Sequence, residues 1–138
     1  MGKGSFRMIR SEAREKAFII IFQKSINDEP IDALITMSEE SDGIKFNQFA
    51  TDLINGVYNN IDDIDKNIEK NLRDWTMGRI SKTALAVLRL AAYEVLYSDD
   101  TPDGVAANEA VELAKKYCGD DEPAFINGII GSIIKSKS

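Results

Sequence analysis

One stretch of the chain, Arg79–Tyr97, constrains the fold more than any other. It reads RISKTALAVLRLAAYEVLY, which corresponds to about 28 Å of α-helix. Arg89 and Glu94 are its only charged residues between positions 84 and 96, so apolar side chains face every direction around the helix. The apolar run is too short and too interrupted to cross a bilayer. The sequence therefore predicts a soluble protein whose other helices pack around this buried central helix.

Arg89 and Glu94 need partners, because burying a charged side chain without a partner is strongly destabilising. The pattern favours structural roles, in which Arg89 and Glu94 each hold a neighbouring loop or helix end. A catalytic role for either residue is the alternative.

The remaining segments alternate helical periodicity with turn signals, and none shows the alternation of a strand. Helices are expected at about 8–25, 31–37, 46–58, 61–72, 105–117 and 122–134, and the segment Met1–Phe6 is expected to be a flexible arm. The sequence thus predicts an all-α fold, with about seven helices in two small packed bundles around the central helix. We expect a single domain over 1–138, with an N-terminal lobe at about 8–58 and a C-terminal lobe at about 61–136.

The composition restricts which catalytic sites, disulfides and metal sites the chain can form. The chain contains no histidine, which removes Ser/His and Cys/His catalysis and every histidine metal site. The one cysteine, Cys118, permits no internal disulfide and is typical of a reducing cytoplasm. Asp63, Asp65 and Asn67 have the first spacings of a calcium loop, but Ile68 stands where that loop requires glycine. We therefore predict no metal, no cofactor and no enzyme active site.

Charge is distributed unevenly along the chain. Residues 1–24 carry a net charge of +4, whereas the remainder carries −10 within a total of −6. On a helix, Arg7, Arg10 and Arg14 share one stripe. Arginine presents a fork of donors that suits phosphate, so this end of the chain is a candidate site for RNA or DNA. An ordinary solvated helix face is the alternative interpretation of the same stripe.

Three stretches taken in order resemble the NusB family of bacterial transcription antitermination factors. They are RSEAREKAFIIIFQ near the start, W-x-x-x-RI-x(8)-LRLAAYE from Trp75 to Glu94, and VAANEAVELAKKY followed by FINGIIGSI near the end. The resemblance covers nearly the whole chain. It implies an all-α fold of two small helical bundles and a cytoplasmic role in antitermination, chiefly of ribosomal RNA operons.

The resemblance also implies partners. NusB-like proteins pair with NusE, a small-subunit ribosomal protein, and the pair binds the boxA element of nascent RNA within the transcription elongation complex. A homodimer is expected as a possible form of the free protein. NusB-like domains also occur fused to RNA methyltransferases, but 138 residues are expected to leave no room for that catalytic domain.

Particular residues take roles from the family pattern. The arginine-rich RNA-binding segment at the N-terminus of the family aligns with Arg10 and Arg14. In this chain, Lys3 and Arg7 extend that segment. The aromatic linked to NusE contact falls on Phe22.

An acid associated with boxA affinity falls on Asp121. Another family acid, which helps the NusE contact, aligns with Ala84 and is therefore lost, while the nearby Lys82 is a candidate for RNA binding. A helical protein-interaction adaptor without direct RNA binding remains the alternative function.

Overall fold

The computed structural model describes residues 3–73 and 76–137, with side chains from position 10 onward. This described part consists of seven α-helices and one turn of 3-10 helix at Met77–Arg79, without a strand. The helices are α1 (Lys3–Ile26), α2 (Ile31–Asp42), α3 (Gln48–Asn59), α4 (Ile61–Lys70), α5 (Lys82–Tyr97), α6 (Asp103–Tyr117) and α7 (Glu122–Lys137). The prediction of an all-α fold with seven helices is confirmed.

The start of α1 differs from the sequence prediction. The helix begins at Lys3, so the expected flexible arm was wrong for Lys3–Phe6. The chain has no proline there, and Gly4 weakens a helix by only about 1 kcal/mol. No residue in this segment therefore prevents the helix from beginning at Lys3.

Two compact units divide the chain, Met1–Asn55 and Gly56–Ser138, and their boundary lies inside α3. In the N-terminal unit, α1 packs against α2. Its apolar side chains are fully buried at Ala17, Ile20 and Ile21. Gly43 ends α2 with a φ of 67°, a left-handed conformation that glycine adopts without strain.

In the C-terminal unit, α5 packs against α4, α6 and α7. The helix begins at Lys82 because Ser81 caps it, the Ala84 N–H donating to Ser81 Oγ at 3.1 Å. Side chains from all around α5 are buried, including Leu88 and Leu90. The prediction of a buried central helix is confirmed, and no helix in the described ranges is long and apolar enough to cross a membrane.

Arg89 and Glu94 of α5 both hold neighbouring segments. Arg89 donates through Nε and Nη2 to the two carboxylate oxygens of Asp65 at 2.9 and 2.8 Å, which ties α4 to α5. Glu94 is buried and accepts a hydrogen bond from Thr101 Oγ1 at 2.8 Å, in the loop before α6. These contacts are the structural roles that the sequence favoured, because each charge is satisfied inside the unit.

Candidate functional site

The arginine stripe of α1 lies against an aromatic ring. Arg10 and Arg14 are one helical turn apart, and their guanidinium carbons lie 4.8 and 5.3 Å from the centroid of the Phe49 ring on α3. A guanidinium held over a ring gains cation–π attraction, worth about 0.5–2 kcal/mol depending on exposure. Phe49 therefore fixes the position of two cationic groups, and sequence reasoning missed it because it lies on another helix.

The two arginines differ in accessibility. Arg10 is half-buried and keeps solvent-facing surface, whereas Arg14 is only 4% exposed. Arg14 is therefore not part of a solvated helix face. The side chains of Lys3 and Arg7, which extend the predicted stripe, lie outside the described residues, as does Trp75.

Phe22 lies two turns beyond Arg14 on the same helix. It is half-buried, and its ring stacks on that of the buried Phe18 with centroids 6.5 Å apart and an interplanar angle of 27°. Phe18 thus anchors a ring that remains partly accessible. This placement suits a residue that contacts a partner without being part of the unit's core.

A cavity of about 310 Å³ lies in the C-terminal unit, where α5 and α7 begin. Its walls combine donor, carboxylate and aromatic groups from Arg79, Ile80, Ser81, Ala84, Asp121, Glu122 and Phe125. Glu122 joins the two helix starts: its Oε1 accepts from Ser81 Oγ at 3.0 Å, and its Oε2 accepts from the Gly119 N–H at 3.1 Å. One carboxylate therefore fixes both sides of the cavity.

Two residues singled out from the sequence line this cavity. Asp121 is exposed directly before α7, and Ala84 is buried at the wall, where the resemblance expects an acid. Lys82 is exposed in the first turn of α5 and does not line the cavity. Sequence reasoning missed Ser81 and Glu122, although the Gly119-x-x-Glu122 spacing is that of a helix-capping carboxylate.

Cys118 lies beside this capping network. Burial, followed by the charge of Glu122 and a hydrogen bond to it, raises the pKa of the Cys118 thiol to about 12. The thiol is therefore protonated at neutral pH, which removes the nucleophilic thiolate. Among the described residues, no group of three or more His, Cys, Asp or Glu side chains is arranged to hold a metal ion.

The fold and these surfaces define an all-helical binding protein with cationic, aromatic and acidic contact groups. A sequence model of the NusB family matches residues 11–135. The chain is 40% identical over 133 residues to the transcription antitermination protein NusB of Clostridium novyi, covering 94% of this chain and 100% of that protein. It is 42% identical over 132 residues to NusB of Acetivibrio thermocellus, covering 94% and 91%. The chain belongs to the NusB family.

Solved structures agree with this assignment. One is a crystal structure of the antitermination factors NusB and NusE in complex with double-stranded RNA. Its matching chain superposes with a TM-score of 0.82 at 27% identity, covering 92% of this chain and 96% of that chain. The part of this chain that matches this structure therefore includes residues from both the N-terminal and the C-terminal unit.

Proposed function

We propose that the chain is an RNA-binding transcription antitermination factor, which pairs with the ribosomal protein NusE and binds boxA RNA, chiefly in ribosomal RNA operons. The observation that supports this most is the match over 92% of the chain to a structure of NusB, NusE and RNA. The two units act as one domain over 1–138, since the family match at 11–135 spans both. The protein works in the cytoplasm, by binding and not by catalysis, within the transcription elongation complex.

The first RNA contact lies on α1 and includes Lys3 and Arg7. Arg10 supplies a direct phosphate contact, because it retains accessible surface and Phe49 holds its guanidinium in place. Arg14 supports this contact from beneath, because its burial leaves little surface for a phosphate. The stripe thus acts through the half-buried Arg10 and the buried Arg14.

A second RNA contact lies in the C-terminal unit. The exposed Lys82 supplies positive charge near the start of α5, and Asp121 supplies a carboxylate at the cavity. A carboxylate repels phosphate but accepts hydrogen bonds from base edges, so Asp121 limits affinity while it favours particular bases. Asp121→Asn is therefore expected to tighten binding to RNA.

NusE contact involves Phe22, whose ring is partly accessible on α1. The buried Ala84 replaces the acid that the family pattern places in this interface. The NusE interface of this protein therefore depends more on apolar contact than on that acid. The free protein forms a homodimer, and NusE displaces the second copy when it binds.

The net charge of −6 and the burial of Arg14 favour a second candidate, a protein-interaction adaptor that does not touch RNA. Titrating labelled boxA RNA and a scrambled RNA with the protein, with and without NusE, separates the two functions. We expect weak binding alone and tighter, boxA-selective binding for the pair, with an affinity that falls as salt rises.

Arg10→Ala is the decisive variant in this titration. It should weaken binding and flatten the salt slope by about 0.7, the value for one phosphate contact on single-stranded nucleic acid. Lys70→Ala, at an exposed position in the last turn of α4, serves as the control for a change of net charge alone. Equal effects of the two variants, or no effect of either, would favour the adaptor.

A further inference from the structure

A groove of about 280 Å³ runs between the end of α1 and α2 in the N-terminal unit. Ile26 and Met37 line it with 58% and 50% of their surface exposed, and the buried Leu34 lines it too. Exposed apolar residues scattered singly are normal on protein surfaces, but two large ones along one groove form a contiguous apolar patch. The volume lies below the roughly 300 Å³ at which small-molecule pockets begin, and it suits an inserted side chain.

One carboxylate, that of Asp42, lines this groove, and we call the acidic segment to which it belongs, positions 26–42, the acidic rim. Positions 26–42 contain six carboxylates and no lysine or arginine. All six are exposed, at Asp28, Glu29, Asp32, Glu39, Glu40 and Asp42. Within the described part of the chain, none of these carboxylates takes part in an ion pair. The nearby Lys24 donates instead to the main-chain carbonyls of Asp28 and Glu29, at 3.4 and 3.0 Å.

We propose that this groove docks a basic, amphipathic segment of the partner protein. An apolar side chain of that segment fills the space beside Ile26 and Met37, and its lysines or arginines face the acidic rim. Phe22 and Ile26 are four residues apart and so are neighbours on α1. The groove therefore extends the surface of Phe22, and the inference rests on the proposed pairing with NusE.

The negative charge of the acidic rim disfavours both RNA and a second copy of the chain as occupants of the groove. RNA is repelled because positions 26–42 carry six carboxylates and no cation of their own, and the nearby Lys24 offsets only one of these charges. A second copy that docked by two-fold symmetry would place the same acidic rim against itself. A basic protein segment is the occupant that both the apolar groove and its rim favour.

Calorimetric titration of NusE into the full chain tests the apolar part of the proposal. Ile26→Ser and Met37→Ser should each weaken NusE binding by about tenfold, as expected for an anchoring contact. Val105→Ser removes an equally exposed apolar side chain, on α6 in the other unit, and should change the affinity less than about twofold. Since all three residues are exposed, circular dichroism should show an unchanged fold.

The acidic rim is tested by a triple variant, Glu39→Gln, Glu40→Gln and Asp42→Asn. Its affinity for NusE should fall at low salt, and the salt dependence of binding should flatten. Asp62→Asn, Asp99→Asn and Asp100→Asn together neutralise three exposed acids of the C-terminal unit and are the matched control. Met37→Ser should leave RNA binding by the chain alone unchanged.

Three results would overturn the proposal. If the wild type binds NusE and Met37→Ser binds equally well, the groove is not part of the interface. If the wild type does not bind NusE, the pairing itself fails and the inference fails with it. If sedimentation shows that the chain dimerises alone and that Met37→Ser abolishes the dimer, the groove belongs to a second copy.

Discussion

The two units satisfy their interior arginines in different ways. In the C-terminal unit, Arg89 meets the carboxylate of Asp65, so a positive charge is neutralised where α4 crosses α5. In the N-terminal unit, Arg10 and Arg14 lie over the ring of Phe49, which holds a guanidinium without adding a counter-charge. The carboxylate of Asp65 joins two helices by neutralising a charge, whereas the ring of Phe49 positions two guanidinium groups through its π face.

The largest expected effect comes from the core of the C-terminal unit. Leu88→Ala removes a fully buried side chain from α5 and should lower the free energy of unfolding by about 2–5 kcal/mol. Chemical denaturation measures this loss, with Val105→Ala, at an exposed position of α6, as the control at less than about 0.5 kcal/mol. A loss below about 0.5 kcal/mol for Leu88→Ala would mean that α5 is not the buried centre of its unit.

Replacing Arg89 and replacing Arg10 should have different effects on stability and on RNA binding. Arg89→Ala removes two hydrogen bonds from the Asp65 carboxylate and should cost about 1–3 kcal/mol of stability, with RNA affinity unchanged. Arg10→Ala removes a partly exposed cation–π contact, worth about 0.5–1 kcal/mol, and should weaken RNA binding. Thermal unfolding and RNA titration of both variants check this, and interchanged outcomes would break the comparison.

Two glycines give smaller effects of opposite sign. Gly43→Ala forces a side chain into the left-handed conformation that ends α2 and should destabilise the N-terminal unit by about 1–2 kcal/mol. Gly128→Ala, in α7, adds a Cβ that meets no atom of another described segment within 4 Å and should stabilise the C-terminal unit by up to about 1 kcal/mol. Denaturation curves decide both signs. Weaker partner or RNA binding by Gly128→Ala would show that a partner approaches α7 closely there.

The smallest effect concerns Cys118 and leaves stability untouched at neutral pH. Because its pKa is raised to about 12, the folded thiol stays protonated through the range in which an ordinary cysteine ionises. Alkylation by iodoacetamide at pH 8 should be at least about tenfold slower in the folded protein than in urea, and should accelerate only at higher pH. Glu122→Gln should speed the reaction slightly, since burial is the larger cause. Equal rates with and without urea would contradict the closed environment of this thiol.

Much of the fold was predictable because it depends on local patterns. The apolar side chains around α5 and the turn signals between segments specify where helices form and which one is buried. The stripe of Arg10 and Arg14 was also visible, since a spacing of four residues places them on one face. Spacing does not say what that face meets, and the burial of Arg14 depends on Phe49 from another helix.

The candidate sites were less predictable for the same reason. The acids at positions 26–42 are plain in the sequence, but only the packing of α1 on α2 brings Ile26 and Met37 to one groove. The bridge from Ser81 to Glu122 spans 41 positions, beyond the reach of any local pattern. The roles of Lys82 and Asp121 came from family resemblance and remain predictions.

The Glu122 bridge gives the C-terminal unit an order of assembly during synthesis. Ser81 is synthesised before Glu122, so the first turn of α5 can form with its Ser81 cap before the Glu122 carboxylate is present to accept from Ser81 Oγ. Contacts between distant positions form late, because the intervening loop must close first. While α7 is being translated, the walls of the cavity stand apart, and a ligand that needs both walls can recognise only a chain whose C-terminal unit has finished folding.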